Sequence, residues 1–250
     1  MRARARRDPT HRDPARPRPS GRVAAIVPAA GEGRRLGGRT AKPFVRLAGR
    51  PILAHVLRAL ERSSGIACVI PVVRPGARAQ AAALIRRERL RKTSEPVEGG
   101  PTRAASIANG FAAVPAGTEW VLIHDAARPC LTPLLTARVL HAARRTGAAA
   151  CGLPAALTVK AVDERREVRL TLDRDHLWFV QTPQAFRRDW YEEALAMADD
   201  RLGAYPDDAS LLEAAGFPVR MVPGDPLNLK ITTREDLMLA EAIFKHRRHV

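Results

Sequence analysis

The run Val27–Phe44, VPAAGEGRRLGGRTAKPF, sets Gly31, Gly33 and the pair Gly37–Gly38 among Arg34, Arg35, Arg39 and Lys42. It directly follows the apolar stretch Val23–Pro28. Glycines let backbone N–H groups approach an anion closely, and the cations supply charge around it, which is chemistry suited to a polyphosphate. Three ligand-binding readings compete. A dinucleotide fingerprint GxGxxG requires glycine where Leu36 stands, and no acidic residue ends a second strand about 20 residues on. A P-loop nearly fits, because Gly33–Thr40 spells GxxxxG-R-T, but Arg39 replaces the phosphate-reaching lysine and Pro43 would break the helix expected there. A pyrophosphorylase-type loop uses Gly31 and Gly33 for close approach to a triphosphate and Arg34, Arg35 and Lys42 for charge. A plain flexible turn with exposed cations leaves the interleaving of glycine and cation unexplained.

Two further stretches carry chemistry. HDAARP places Asp125 after the apolar run Trp120–Ile123. A carboxylate there either caps a turn or, if it faces a triphosphate, holds a divalent cation that relieves the repulsion. Arg128 is either a cation for substrate or a structural partner of Asp125. EGGPTRAAS, Glu98–Ser106, reads as a turn into a helix N-terminus, itself a polar binding site. No Ser/His/Asp or Cys/His set emerges. Cys68, Cys130 and Cys151 are scattered, which argues against a disulfide framework or a zinc site and fits a reducing cytoplasm.

These loops need a frame. Val23–Pro28, Ile66–Val73, Trp120–Ile123 and Ala148–Leu153 read as buried strands, and Pro51–Glu61, Arg78–Leu90, Thr102–Val114 and Pro133–Arg145 as helices. This alternation predicts an α/β fold, a Rossmann-like, mostly parallel sheet with helices on both faces. The glycine-rich loop and HDAARP then share the carboxyl edge of the strands, where such sheets bind ligands. Leu157–Val162 and Glu167–Leu172 alternate as exposed strands around DERR and predict a protruding hairpin. A lone hairpin is marginal in water, so a second subunit is its natural support. Arg188–Ala198 and Ala209–Ala215 read as helices and Val219–Val222 as a strand. Thr233–Lys245 closes as a helix capped by Thr232 or Thr233.

The 250 residues carry a net charge of +16, and Met1–Arg22 contains eight Arg against two Asp. That Pro/Arg-rich segment cannot bury enough surface to fold, so residues 1–21 are expected to be a disordered basic tail and 22–250 one domain. With 4% aromatic residues there is little for base stacking, which makes nucleic acid an unlikely partner. No run of about 18 apolar residues suggests a membrane span.

VPAAGEGRRLGGRTAKPF, GGPTRAAS, HDAARP, QTPQAF, DDAS and NLKITT occur in the order seen in the 2-C-methyl-D-erythritol 4-phosphate cytidylyltransferases of non-mevalonate isoprenoid synthesis, and the chain resembles that family from Arg22 to Phe244. The resemblance implies a nucleotidyltransferase-type fold and transfer of CMP from CTP to the sugar-alcohol phosphate, with release of pyrophosphate. It implies that Arg35 and Lys42 stabilise the transition state, and that Pro28, Ala29, Ala30, Gly31, Gly33 and Arg34 line the nucleotide loop. It further implies that Gly99, Gly100 and Ser106 meet cytosine and ribose, with Arg103 adding charge nearby, and that Asp125 beside Ala126 holds Mg²⁺. Thr158, Arg174 and Lys230 would grip the acceptor phosphate, with Arg128 and Thr182 as further substrate contacts. Thr158 and Arg174 would reach in from the arm, about 155–176, of the other subunit of a homodimer. Arg174 could instead form a surface ion pair with Asp173 or Asp175, and Thr182 could simply start a turn at Pro183.

The chain departs from the family pattern at Pro206, where a threonine usually precedes the acidic pair, and at Arg234, where proline is common. No sequence remains for the second enzyme to which some relatives are fused, so a stand-alone transferase is expected. The nearest alternative is a ribitol-5-phosphate cytidylyltransferase, and the alternative of another class is a basic nucleic-acid-binding protein.

Overall fold

A computed structural model describes residues 21–31 and 41–247. The expected disordered tail, and Gly33, Arg34 and Arg35, lie outside the described residues, apart from Gly21 at the end of the tail. In chain order the strands are β1 (Arg22–Ala29), β2 (Arg46–Leu47), β3 (Arg50–Pro51), β4 (Cys68–Val73), β5 (Val97–Glu98), β6 (Thr118–Ile123), β7 (Ala148–Pro154), β8 (Val159–Val162), β9 (Val168–Leu172), β10 (Trp178–Arg187) and β11 (Arg220–Pro223). The helices are α1 (Ile52–Glu61), α2 (Arg78–Glu88), α3 (Arg103–Ala112), α4 (Pro133–Thr146), α5 (Arg188–Ala198), α6 (Asp208–Ala214) and α7 (Arg234–His246).

Seven strands form the central sheet in the order β11-β7-β10-β6-β1-β4-β5. The apolar run of β1 is buried on both faces because helices cover both. Val23, Ala25 and Val27 pack with residues of α1, α2 and α4, such as Leu57, Leu84 and Val139. Ala24 and Ile26 face the other way, onto Ile107 and Phe111 of α3 and Tyr191 of α5. The period of two along one strand thus sorts the core into two layers. On the α3 side a Cβ at Gly110 would sit 2.6 Å from Ile26 Cγ2, so only glycine lets the helix lie this close to the sheet. The last helix, α7, begins in a capping box between Thr233 and Asp236 and closes a smaller cluster around Leu47, Ile52 and Ile231.

The exposed hairpin is present as β8 and β9, which pair only with each other. The principal departure from the sequence reading is β10, which was not expected as a strand and where one alternative had Thr182 start a turn at Pro183. Instead β10 runs antiparallel between β6 and β7 in the middle of the sheet. Proline is tolerated there because it falls in the break of register between Val180 and Gln184, where the ladder to β7 asks for no N–H.

Gly147 closes α4 at φ +92°, and a Cβ there would meet the Trp190 ring at 2.1 Å. Gly147→Ala is expected to lower stability by about 2–4 kcal/mol, backbone strain and overpacking together. Gly216→Ala has a similar φ, +81°, but open space around it, and should cost only the backbone share, about 1–2 kcal/mol. Denaturant midpoints of both variants at unchanged slope check the difference.

Candidate active site

At the carboxyl ends of β1, β4 and β6 the chain leaves the sheet as Ala30–Gly31, Arg74–Pro75 and His124–Ala127. These segments, with Gly100–Arg103 at the start of α3, surround a cleft of about 540 Å³. Its described lining carries four cations, Lys42, Arg74, Arg103 and Lys230, and one carboxylate, Asp125. The glycine-rich loop leaves β1 at this cleft, and Lys42 returns from it at the first position of a 3₁₀ turn, Lys42–Phe44.

Asp125 organises the cleft. Its Oδ1 lies 3.1 Å from Arg103 Nε and its Oδ2 lies 2.7 Å from Lys230 Nζ. Burial works to raise its pKa, but the two cations outweigh that and hold the carboxyl well below the usual carboxylate range. The carboxylate is therefore ionised, and both its oxygens are engaged in ion pairs. Arg103 keeps its proton more firmly than a free guanidinium: burial opposes this, and Asp208 and Asp125 overcome it.

A buried polar layer lies beneath. The Thr182 hydroxyl accepts the Asp125 backbone N–H at 3.0 Å and lies 3.1 Å from His124 Nδ1. The Arg128 carbonyl can only accept, so neutral His124 carries its proton on Nε2 and donates it there at 3.1 Å, and Nδ1 accepts from the Thr182 hydroxyl. Burial lowers the His124 pKa to about 4, which keeps the ring neutral at pH 7. Asn228 donates to the Thr182 carbonyl at 2.7 Å, and the Ile231 N–H donates to the Ala127 carbonyl at 2.8 Å. These bonds stitch NLKITT onto HDAARP, and so fix where Lys230 leaves the backbone.

The structure brings Pro28, Ala29, Ala30, Gly31, Lys42, Gly100, Arg103, Asp125, Ala126 and Lys230 together around the cleft. Gly99 and Ser106 stand just behind it. The Ser106 hydroxyl donates to the Thr102 carbonyl at 2.8 Å, and a Cβ on Gly99 would meet Ala30 Cβ at 2.6 Å. Their visible role is to let the 99–100 turn press against Ala30.

Two sequence alternatives, for Thr182 and Arg174, are corrected. Arg128 is a structural neighbour of Asp125: its backbone N–H donates to the Asp125 carbonyl at 3.0 Å, and the Asp125 charge acts on its guanidinium. Its guanidinium donates to the Asn228 carbonyl at 2.9 Å and reaches the Val180 carbonyl at 3.5 Å. Thr182 does not start a turn, since it lies inside β10 with its hydroxyl under Asp125. Arg174 pairs with neither Asp173 nor Asp175 and donates to the Ala156 carbonyl at 2.7 Å. Thr158 and Arg174 are exposed at the base of the hairpin and do not line the cleft of their own chain. Sequence reasoning missed Arg74, although its place directly after β4 was a signal, and it missed Asp208, which holds Arg103 from behind at 2.9 Å.

The model of the family described as 2-C-methyl-D-erythritol 4-phosphate cytidylyltransferase matches residues 23–246. A protein of that name from Pelotomaculum thermopropionicum is 44% identical over 227 residues, covering 90% of this chain and 95% of the relative. The crystal structure of 2-C-methyl-D-erythritol 4-phosphate cytidylyltransferase from Thermus thermophilus superposes with a TM-score of 0.73 at 36% identity, covering 89% of this chain and 98% of that one. That of 4-diphosphocytidyl-2C-methyl-D-erythritol synthase from Anaerococcus prevotii gives 0.77 at 30% identity, covering 89% and 96%. Matched by the family model over residues 23–246 and 44% identical over 90% of its length to a relative of that name, the chain belongs to the 2-C-methyl-D-erythritol 4-phosphate cytidylyltransferase family.

Proposed function

We infer that the chain transfers CMP from CTP to 2-C-methyl-D-erythritol 4-phosphate, giving 4-diphosphocytidyl-2-C-methyl-D-erythritol and pyrophosphate. The observation that carries this reading is the cleft at the strand ends, which Lys42 lines and in which Arg103 and Lys230 pair with Asp125. An oxygen of the acceptor phosphate attacks the α-phosphorus of CTP. The bond from that phosphorus to the oxygen bridging to the β-phosphate breaks, and its electron pair leaves with pyrophosphate. The nucleophile is already an anion at neutral pH, so no general base is needed, in keeping with a neutral, fully engaged His124. What must be overcome is repulsion between two anions, and the means are fixed cations and positioning.

Lys42 and Arg35 take the α-phosphate in this reading, Lys42 as a point charge and Arg35 as a planar fork. Pro28–Gly31, Gly33 and Arg34 cradle the triphosphate, and Gly99–Gly100 read the small pyrimidine. Lys230 meets the acceptor phosphate. Asp125 is the carboxylate that lines the cleft, and Mg²⁺ is commonly bound by one or two carboxylates plus phosphate oxygens and water, so the donor set fits that ion. Bound there, the ion would neutralise charge on the triphosphate. Among the described residues no group of three or more His, Cys, Asp or Glu could hold a metal by itself, so the fit depends on the nucleotide's own oxygens.

A homodimer completes the acceptor site. The arm exposes Leu157, Val162, Val168 and Leu170, and Phe179 beside it, which is apolar surface of the kind that a partner covers. Thr158 and Arg174 then serve the neighbour's cleft, with Arg128 and Thr182 shaping the floor of their own. Cys68, Cys130 and Cys151 are free thiols, which suits the cytoplasm, and no described helix is long and apolar enough to cross a membrane.

Pyrophosphate release from CTP should require 2-C-methyl-D-erythritol 4-phosphate, and faster turnover with ribitol 5-phosphate would overturn the acceptor assignment. Lys42→Ala and Arg35→Ala should each lower kcat by about 10²-fold or more. Near-normal turnover in both variants removes them from the chemistry. Arg174→Ala and Lys42→Ala subunits, each inactive alone, should regain about a quarter of normal sites when mixed in equal amounts and allowed to exchange, because half the dimers then hold one intact site. No recovery despite exchange would show that the arm does not serve the neighbouring subunit.

A further inference from the structure

Arg103 is the first residue of α3, and its guanidinium is divided between two carboxylates. Nε lies 3.1 Å from Asp125 Oδ1, and Nη2 lies 2.9 Å from Asp208 Oδ2. Asp208 does not line the cleft and is 4% exposed, deep behind the wall that Arg103 forms. Everything around Asp208 fixes it. The Tyr191 hydroxyl donates to its Oδ1 at 2.7 Å, and the Tyr191 ring is fully buried between Phe186 and Phe111. Asp208 opens α6, whose start is capped by Asp207 and clamped by Gln184. The Gln184 amide donates to Asp207 Oδ2 at 2.8 Å and accepts the Ala209 N–H at 3.0 Å. The β10 strand thus sets α6, α6 sets Asp208, and Asp208 sets one end of Arg103.

A buried carboxylate is costly unless its charge is answered; burial raises the Asp208 pKa, and the charge that chiefly opposes this is Arg103, a residue of the cleft wall. The arrangement also limits what Arg103 can do. An arginine facing one carboxylate tends to close a bidentate pair, which would occupy both Asp125 oxygens and turn the guanidinium away from a ligand. Asp208 draws Nη2 backward, so Asp125 receives one bond from Arg103 and keeps Oδ2 for Lys230.

We propose that Asp208 is a positioning residue for nucleotide binding: it holds Arg103 between two carboxylates at the cleft wall, and leaves Asp125 only singly bonded to that guanidinium. The inference rests on the proposed use of CTP, and it commits Arg103 to contact with the nucleotide rather than with the acceptor phosphate.

The test is a double-mutant cycle on the full chain, read as the dissociation constant for CTP by calorimetry and as KM for each substrate. Asp208→Asn should weaken CTP binding about 10-fold and leave KM for the acceptor within about 2-fold. Arg103→Ala should weaken CTP at least as much, and adding Asp208→Asn to it should change CTP affinity no further. Tyr191→Phe, a milder change that keeps the packing, should raise the CTP dissociation constant about 2- to 3-fold, and this effect too should vanish in the Arg103→Ala background. If Asp208→Asn does not fold, the Tyr191→Phe pair carries the test. A loss of folded fraction with unchanged CTP affinity, or effects that multiply in the double variants, would overturn the proposal. Failure of the wild-type chain to bind CTP at all would instead count against the functional reading on which it rests.

Discussion

The cleft depends on one electrostatic arrangement: an ionised aspartate between two cations. Arg103 and Lys230 approach Asp125 from opposite oxygens, and a partly buried cluster of like charges could not assemble without such an anion. Lys42 and Arg74 enlarge the positive excess around it. A ligand bearing several negative charges therefore meets a surface whose cations are already gathered and whose hydration is already reduced. The free-energy cost of gathering them falls on folding rather than on binding, which is the meaning of preorganisation for an anion site.

The sheet is what makes this arrangement reproducible. Asp125 follows β6, Arg74 follows β4 and Gly31 follows β1, three adjacent parallel strands whose register is continuous from Ala24 to Ile26 on both sides. Lys230 belongs to a segment far along the chain, yet it is tied to the same edge through Asn228, Ile231 and the buried Thr182. Antiparallel β10 is essential to this. It brings Thr182 under Asp125 and Gln184 under α6 from a single strand, so both carboxylates that hold Arg103 are supported by residues two positions apart.

Much of this is legible in the sequence, for physical reasons that differ by residue. Val23–Pro28 and Trp120–Ile123 stand out as buried strands because helices on both faces make every position apolar. The glycine-rich loop and the HDAARP stretch can be placed at the ligand edge because each follows such a strand. The alternation in the arm is clear because its strands stand in solvent. By contrast, β10 is hidden. Its residues Gln181, Thr182 and Gln184 are polar and buried, and its proline sits in a register break, so neither hydrophobic period nor propensity marks it as a central strand. Asp208 stands within DDAS with no role that its neighbours in sequence would assign, because its meaning lies in contacts to Arg103 and Tyr191, each at least 17 positions away. Long-range pairings of buried polar groups leave no local signature in a single sequence.

The location of the polar residues follows from these constraints. A Rossmann-like sheet offers an apolar interior to its strands and reserves its carboxyl edge for loops. Here polar groups also continue inward below that edge, through Thr182, His124, Asn228 and Gln184, all buried and each with a hydrogen-bond partner. Such a layer would be a liability in an ordinary core, where apolar groups of the same shape would serve stability equally well. Beneath a charged cleft it has a specific use. Apolar side chains could fill that volume but could not fix the direction of a carboxylate or of a guanidinium. The polar floor is thus the part of the core shaped by the chemistry above it, while the layers around α1, α2 and α4 answer to packing alone.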